Sequence, residues 1–473
     1  MTIEPQQANP ARCAETNAGR TPPGPRGHWL WGCWSRLQTD PLGLYYDAWR
    51  EYGDCVRIRF LPGMYGYLLT HPEGVEHVLQ KQYQNYRKPV FFTRIVRLLL
   101  GEGLFTSEGE FWLWHRRLMQ PAFHRQHLDE LSQRMAAAAE ECGRRWERAT
   151  KEPVVDIAAE MMQLSLRIAG ITLFGTDLSQ ETDIIGRAYR TGFAYVSHRL
   201  NTPYLLPPWA PTPRNRRFAR DKRELDRVVL WMIAERRRNP GKGRDLLSLL
   251  LAAQDEETGV CLNDQEVKDE ALTLLAAGHE TVGAALAWRW YLLGRHPEVQ
   301  ESLHDEVCGL LQDRSPRVDD LLHLPLVKAT FQEATRLYPP APAVPREAVE
   351  DDVVLGYRIP KGVPLIVSSY VTHRRPDLWE EPERFKPERF LAAQAAQRPR
   401  FAYYPFGGGP RACIGNTFAL TEGPLVLATL IQGYWVELIP DHPVVIDQTF
   451  TLRPKHGVLV KLHQRACTAK NGG

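Results

Sequence analysis

Phe406-Gly407-Gly408-Gly409-Pro410-Arg411-Ala412-Cys413-Ile414-Gly415 packs four glycines, a proline, an arginine and a cysteine into ten residues, and two chemistries compete for it. Gly407, Gly409 and Ala412 fit the GxGxxA spacing of a dinucleotide fingerprint. That anchor needs a helix N-terminus after the glycines and an acidic residue about 20 positions on. Leu425 to Trp435 holds no acid, so the fingerprint reading fails on mechanism. The other chemistry is a thiolate that ligates iron. Such a cysteine must be held as the anion, which needs N–H donors and positive charge nearby. Flanking glycines permit a tight turn that aims backbone amides at the sulfur. Arg411 adds a charge able to reach an acidic group on a cofactor, and Phe406 can shield the sulfur from water.

Outward from this loop, the chain has 473 residues, 43% hydrophobic and 24% charged, with 35 glycines and eight cysteines. That composition excludes a disordered chain, a collagen and a disulfide scaffold. Length alone suggests about two or three domains. The 59 basic and 56 acidic residues leave a net charge of +3, too little to argue for a nucleic-acid partner. Cys13, Cys33, Cys55, Cys142, Cys261, Cys308, Cys413 and Cys467 come no nearer in sequence than 20 residues, so there is no CxxC pair and no zinc ribbon. Thinly spread cysteines predict reduced thiols in a cytosol-like compartment, seven of them acting as small buried hydrophobes. Met1 to Arg26 is polar and proline-rich without an apolar core, which predicts neither signal peptide nor membrane anchor. Ala271 to Leu293 is the most apolar long segment, but His279, Glu280 and Arg289 make it a buried helix rather than a span. The expectation is a soluble, cytoplasmic protein.

Helical patterns dominate: Leu128 to Thr150, Asp221 to Arg238, and Pro325 to Tyr338 stopped by Pro339-Pro340. Asn263 with Glu266 three residues on forms a capping box, and no proline follows before Pro297. This predicts a helix of about 30 residues, roughly 45 Å long, crossing a large core. Cys55–Phe60, Tyr67–Thr70, Val353–Ile359 and Leu365–Tyr370 have the β-branched and aromatic content of short strands. Pro207 to Pro213 is a proline-rich loop, and there is no repeat, low-complexity tract or composition shift to mark a linker.

Mid-way along the long helix lies Ala277-Gly278-His279-Glu280-Thr281. A zinc-protease HExxH fails because Gly283 stands where the second histidine is needed. Two readings stay open. Gly278 and Thr281 can be packing residues, the threonine bonding its own backbone. Alternatively Gly278 opens room beside the helix and the Thr281 hydroxyl reaches the Ala277 carbonyl, loosening the ladder into a pocket for dioxygen and water. Glu280 and Thr281 then provide an acid and an alcohol for proton delivery.

Together the cysteine loop and this helix resemble the cytochrome P-450 superfamily of haem-thiolate monooxygenases. The resemblance extends from about Pro23 to Leu462. It implies that Cys413 is the axial iron ligand, that thiolate donation favours O–O cleavage, and that Ala277 to Thr281 is the oxygen-activating segment. Glu333-Ala334-Thr335-Arg336 is similar to the family's ExxR. The same spacing recurs at Glu141–Arg144, Glu224–Arg227, Glu235–Arg238 and Glu381–Arg384, where an exposed pair is worth only about 0.2–0.5 kcal/mol. Position singles out Glu333, 80 residues before Cys413 on the helix stopped by two prolines. Phe385 to Phe390 is similar to FxPERF, so Arg389 is expected to close a structural Glu333–Arg336–Arg389 cluster. Trp112 and Arg116, four apart on a helix from Phe111 to Met119, match WxxxR and suit a haem propionate; a buried Trp beside a surface Arg is the bland alternative. Arg346 and Arg411 match further propionate positions.

The resemblance implies one mainly α domain with a minor β region over residues 23–473, after a flexible polar segment, 1–22. Haem b would sit buried between the long central helix and the cysteine loop. The implied reaction activates O2 and inserts one oxygen atom into a C–H or C=C bond of a lipophilic small molecule: fatty acid, terpenoid, steroid or aromatic. Electrons would come from NAD(P)H through a separate ferredoxin or flavodoxin and its reductase, since 60 residues after Cys413 are too few for such a module. Arg117 and Arg125 are candidates to dock that acidic partner or are ordinary surface arginines. Pocket walls are expected from Val90–Leu104, Phe193–Trp209 and Ala341–Val344, with Phe91, Phe92, Phe193 and Tyr195 prominent. A haem-thiolate isomerase or dehydratase and a non-catalytic haem sensor remain as other classes; the intact Glu280–Thr281 pair argues against the first.

Overall fold

The computed structural model describes residues 19–123, 125–149, 154–202, 205–240, 245–253, 259, 261–391 and 396–467. Helices α1 (Trp34–Thr39) and α2 (Pro41–Tyr52) precede hairpin strands β1 (Cys55–Leu61) and β2 (Met64–Leu69), then α3 (Pro72–Glu76) and β3 (Tyr86–Arg87). A helical region follows: α4 (Val90–Leu100), α5 (Gly109–Met119), α6 (Arg125–Ala149), β4 (Val154–Asp156), α7 (Ile157–Leu173), α8 (Thr182–Leu200), α9 (Pro213–Arg238) and α10 (Leu246–Ala252). Next come α11 (Asp264–Arg295), α12 (Pro297–Leu311) and α13 (Pro325–Leu337). Strands β5 (Val344–Ala348), β6 (Asp352–Val354), β7 (Tyr357–Ile359) and β8 (Pro364–Val367) lead to α14 (Ser369–Thr372). The chain closes with α15 (Asn416–Ile431), β9 (Tyr434–Leu438), β10 (Ile446–Asp447), β11 (Arg453–Pro454) and β12 (Leu459–Gln464).

The molecule is organised around α11. Asn263 accepts from the backbone N–H groups of Gln265 and Glu266, both at 3.0 Å, while the Glu266 carboxylate accepts from the Asn263 N–H at 2.8 Å. This capping box satisfies N-terminal donors that would otherwise be orphaned, and such a cap is worth about 1 kcal/mol. From Asp269 to Trp290 every residue of α11 is buried except Ala277, which is exposed, and Gly278 and Thr281, which are half-buried. One apolar core continues from Ile95 on α4 through α11 and α15 to Leu462 on β12. The two or three domains that length suggests therefore merge into one mainly α fold with a minor β region. β1-β2-β8-β5-β3 form its largest sheet and β4-β12-β9 a second.

Two predicted strands differ. The run Val353–Ile359 is a hairpin, because Leu355 (φ 52°) and Gly356 (φ 78°) form a two-residue turn of positive φ between Val354 and Tyr357. The run Leu365–Tyr370 ends at Val367, because the Ser368 side chain accepts from the Val371 N–H and starts α14. The cysteine expectation also needs correction. Cys308 of α12 and Cys467 are disulfide-bonded, with Cα atoms 5.4 Å apart. β12 lies against β9 and carries the following residues to α12, a contact over 159 residues that local spacing could not reveal. Cys33, Cys55 and Cys142 are buried as expected, Cys261 is exposed, and Cys13 lies outside the described residues. Of the predicted N-terminal segment, 1–18 lies outside the described residues, while Arg20 bridges Tyr357. No described helix is long and apolar enough to cross a membrane.

A carboxyl group in the core gives the fold a pH signature. Glu422 of α15 is fully buried without a hydrogen-bond partner of good geometry, and burial pushes its pKa up to about 8, Ser165 of α7 pulling the other way. The native state thus holds a proton that the unfolded chain releases near its ordinary value of 4.5. This stabilisation is complete below the unfolded pKa and is lost as pH rises through the folded one. Glu422→Gln is expected to flatten the fall in urea midpoint between about pH 5 and about pH 8. A wild-type slope in the variant would refute it.

Candidate active site

Three elements converge: the cysteine loop, α5 with the preceding Glu108, and β5. Gly409 shapes the loop. Its φ is +65°, and a Cβ there would lie 1.9 Å from the Leu79 carbonyl oxygen, so only glycine fits. The Cys413 N–H donates to the Phe406 carbonyl at 2.9 Å, fixing the turn. Cys413 presents accessible surface, yet burial pushes its thiol pKa up, while the Gly415 N–H and Arg116 pull it down. An accessible atom in so desolvating a surround faces an internal void. Phe406 is half-buried against the core beside it.

Four cations gather around this void. Arg116 Nη1 donates to the Ala412 carbonyl at 2.9 Å, and its guanidinium lies 5.9 Å from the Trp112 ring. Arg411 lies over the same ring at 4.3 Å. Arg411 is already engaged by protein: its two terminal nitrogens both donate to the Glu108 carboxylate, and only Nε is buried without a partner. Arg346, buried on β5, donates to its own neighbour's carbonyl at Pro345, and burial followed by Arg411 brings its pKa down to about 10. Lys88, which sequence reasoning missed, donates to the Leu104 and Ser107 carbonyls; burial brings it down to about 7, with Arg411 and Arg346 adding to the fall. Among the described residues, Glu108 is the one carboxylate that contacts Arg411 and Lys88. Buried charge of one sign is costly unless matched, so this cluster fits a cofactor with two carboxylates, as haem has.

On α11, the Thr281 hydroxyl donates to the Ala277 carbonyl at 2.8 Å. Of the two readings of Gly278, packing is the one found: a Cβ there would meet Leu173 Cδ1 at 3.1 Å and Ala169 Cβ at 3.5 Å, so it lets α7 close on α11. The accessible surface comes from Ala277 and Thr281. The Glu280 carboxylate turns toward the β10–β11 hairpin, accepting from Thr451 Oγ1 at 2.9 Å and Arg453 at 3.4 Å, and Arg453 continues to Asp447 at 3.0 Å. Acid and alcohol are therefore neighbours in sequence whose polar ends address different partners.

Below the loop, the ExxR cluster is assembled. Arg336 binds Glu333 through Nε at 2.7 Å and Nη2 at 2.8 Å, both side chains 0% exposed, and donates to the His373 and Pro382 carbonyls at 2.7 Å. Arg389 Nε approaches Glu333 at 3.3 Å. Glu381–Arg384 is an exposed pair, 44% and 68% accessible, as its position implied.

Aromatic rings run from α4 toward α11: Phe92 to Phe105 (6.1 Å), Phe105 to Phe450 (6.4 Å), Phe450 stacked on Phe193 (4.4 Å), Phe193 to Tyr189 (5.8 Å) and Tyr189 to His279 (5.2 Å). Phe450 was not foreseen, because it comes from the β10–β11 hairpin. Phe91 is exposed. Tyr195 is not on this run: it stacks on Phe218 of α9 at 4.0 Å and its hydroxyl donates to Asn215.

The family model for cytochrome P450 matches residues 22–461. The chain belongs to the cytochrome P450 family. This cytochrome P450 is 36% identical over 390 residues to cyclooctat-9-en-7-ol 5-monooxygenase of Streptomyces melanosporofaciens, covering 82% of this chain and 84% of that one. It is 35% identical over 401 residues to pentalenene oxygenase of Streptomyces avermitilis, covering 85% and 88%. Cytochrome P450 membership makes the protein an oxidoreductase, a haem-dependent monooxygenase that uses O2, a small-molecule substrate and a redox partner.

Proposed function

We propose that residues 23–473 form a haem-thiolate domain in which Cys413 ligates the iron and Trp112, Arg116, Arg346 and Arg411 hold the propionates. The observation that carries this is the cation cluster of Lys88, Arg116, Arg346 and Arg411, for which Glu108 is the one ion-paired carboxylate among the described residues. Arg116 and Arg346 bear the cofactor's charge, while Arg411 shares its own with Glu108. Haem bound here supplies reductive activation of dioxygen. Phe406 keeps water from the sulfur. Glu333, Arg336 and Arg389 hold the loop's supporting layer rigid.

Ala277 and Thr281 shape the oxygen-binding face, and Gly278 lets α7 pack closely behind it. The Thr281 hydroxyl, whose hydrogen bond to Ala277 fixes its position, is the last proton carrier, and Glu280, held by Thr451 and Arg453, is the acid beside it in the chain. Thr281→Ala is expected to cut product per reductant consumed by about 10²-fold, with the substrate-induced spin shift at the iron unchanged. Full coupling in the variant, measured as product against NAD(P)H oxidised, would remove Thr281 from the route.

The substrate is a lipophilic small molecule, hydroxylated or epoxidised. The aromatic run from Phe92 to Tyr189 and the molecules for which the relatives are named, cyclooctat-9-en-7-ol and pentalenene, favour a terpenoid hydrocarbon skeleton over a fatty acid. Electrons come from NAD(P)H through a separate ferredoxin or flavodoxin in the cytoplasm. Arg117 is exposed on α5, next to Arg116, and suits an acidic partner; the Arg125 side chain lies outside the described residues. Arg117→Glu is expected to raise the ferredoxin KM several-fold at low salt and less at high salt, leaving kcat in place. An unchanged KM would make Arg117 an ordinary surface arginine.

The reaction is tested with NAD(P)H, surrogate ferredoxin and reductase, isotopic dioxygen and a terpenoid library read by mass spectrometry. A product heavier by one labelled oxygen supports the proposal. Product formed equally without reductant would replace it with an isomerase.

A further inference from the structure

On α12, Glu301, His304, Asp305 and Cys308 fall at helical spacings of three, four and seven, which is one stripe of the helix surface. His304 Nε2 lies 3.3 Å from Cys308 Sγ. Cys467 meets the same stripe from the C-terminal side. Ligand atoms of His304, Cys308 and Cys467 all lie within 4.8 Å of one another, and so do those of Glu301, His304 and Asp305.

The disulfide is not what brings Cys467 to this place. β12 pairs with β9 up to Gln464 opposite Tyr434. The Arg465 N–H then donates to the Gly433 carbonyl at 3.0 Å. The Arg465 guanidinium reaches the Ile431 carbonyl at 3.3 Å, the Gln300 carbonyl at 3.4 Å and Glu301 at 3.3 Å, and lies 5.3 Å from the Trp435 ring. With the strand and Arg465 in place, reduction leaves two thiols beside an imidazole, already gathered for a tetrahedral ion.

We propose that the reduced protein binds one zinc ion through His304, Cys308 and Cys467, with the Asp305 carboxylate or a water in the fourth position, and that disulfide formation releases it. A Cys₂His set with one oxygen ligand suits zinc by softness and number. A dithiol reductant delivers two electrons and two protons to the Cys308–Cys467 bond and leaves as its own disulfide. Zinc then displaces both thiol protons, forming two Zn–S bonds and one Zn–N bond. In the reverse direction, a disulfide oxidant accepts two electrons from the two thiolates, the S–S bond re-forms and the ion departs. Cys308 and Cys467 are both half-buried, so each retains accessible surface toward such a reagent.

The test uses the haem-loaded protein, reduced with a phosphine, desalted and titrated with zinc chloride against a chromophoric chelator. Alkylation and mass spectrometry count the thiols, and zinc-edge X-ray absorption reads the ligands, which iron does not obscure. The wild type is expected to bind one more equivalent than Cys308→Ser. Its zinc should show two sulfur neighbours at about 2.3 Å and should be expelled by an oxidised dithiol. Cys467→Ser and His304→Asn should each weaken binding at least tenfold with the Soret band unchanged. A disulfide that survives reduction, equal zinc in wild type and Cys308→Ser, or a zinc shell without sulfur would each overturn the proposal.

Discussion

Cys413→Ser will give a folded protein that has lost the thiolate-type spectrum of the reduced carbon monoxide complex and with it essentially all monooxygenase turnover. The substitution is nearly isosteric, and the Cys413 side chain faces a void rather than packing against neighbours, so the fold has little to lose. The ligand has much to lose. A serine hydroxyl stays protonated where the Gly415 N–H and Arg116 favour an anionic sulfur, and no thiolate remains to donate to the iron. The measurement is the reduced carbon monoxide difference spectrum beside a far-ultraviolet circular dichroism trace. An unchanged carbon monoxide spectrum would refute the ligand assignment, whatever the activity.

Glu333→Gln is expected to act on stability instead. Among the described residues, Glu333 is the one carboxylate bonded to both Arg336 and Arg389, and all three are buried. Neutralising it leaves two guanidinium groups without their counter-charge, and breaking a buried pair in this way costs about 3–5 kcal/mol. Against a total stability of about 5–15 kcal/mol, that is a large share. The urea midpoint and the haem-to-protein ratio should both fall sharply. Glu381→Gln, in the exposed pair of the same spacing, should lower the unfolding free energy by no more than about 0.5 kcal/mol. Equal effects in the two variants would show that burial does not distinguish the pairs.

The contrast between these two pairs shows what a sequence makes legible. Glu333 was separable from its look-alikes because chain order and the stopping prolines placed it on a core helix. Likewise Asn263, Glu266 and an unbroken run to Arg295 were enough to specify α11, since capping and periodicity are local. Contacts between distant segments were not legible. Glu108 meets Arg411 from 303 residues away, and Thr451 meets Glu280 from 171. Neither has a spacing to betray it. The Cys308–Cys467 bond is the same kind of miss. Gly278 stayed ambiguous for a different reason: a glycine announces that a Cβ is unwelcome without saying on which side, and here that side is α7.

The β10–β11 hairpin reaches both the aromatic run and the Glu280 carboxylate. Phe450 at its tip stacks in the aromatic run, while Thr451 and Arg453 beside it hold the Glu280 carboxylate. On the proposed reading, one short turn therefore grips the substrate with one residue and steers the proton supply with the next. Such a protein cannot alter its taste independently of its thrift: each change that reshapes the wall at Phe450 also tugs on the acid, and selectivity is inherited together with the fraction of oxygen that reaches product.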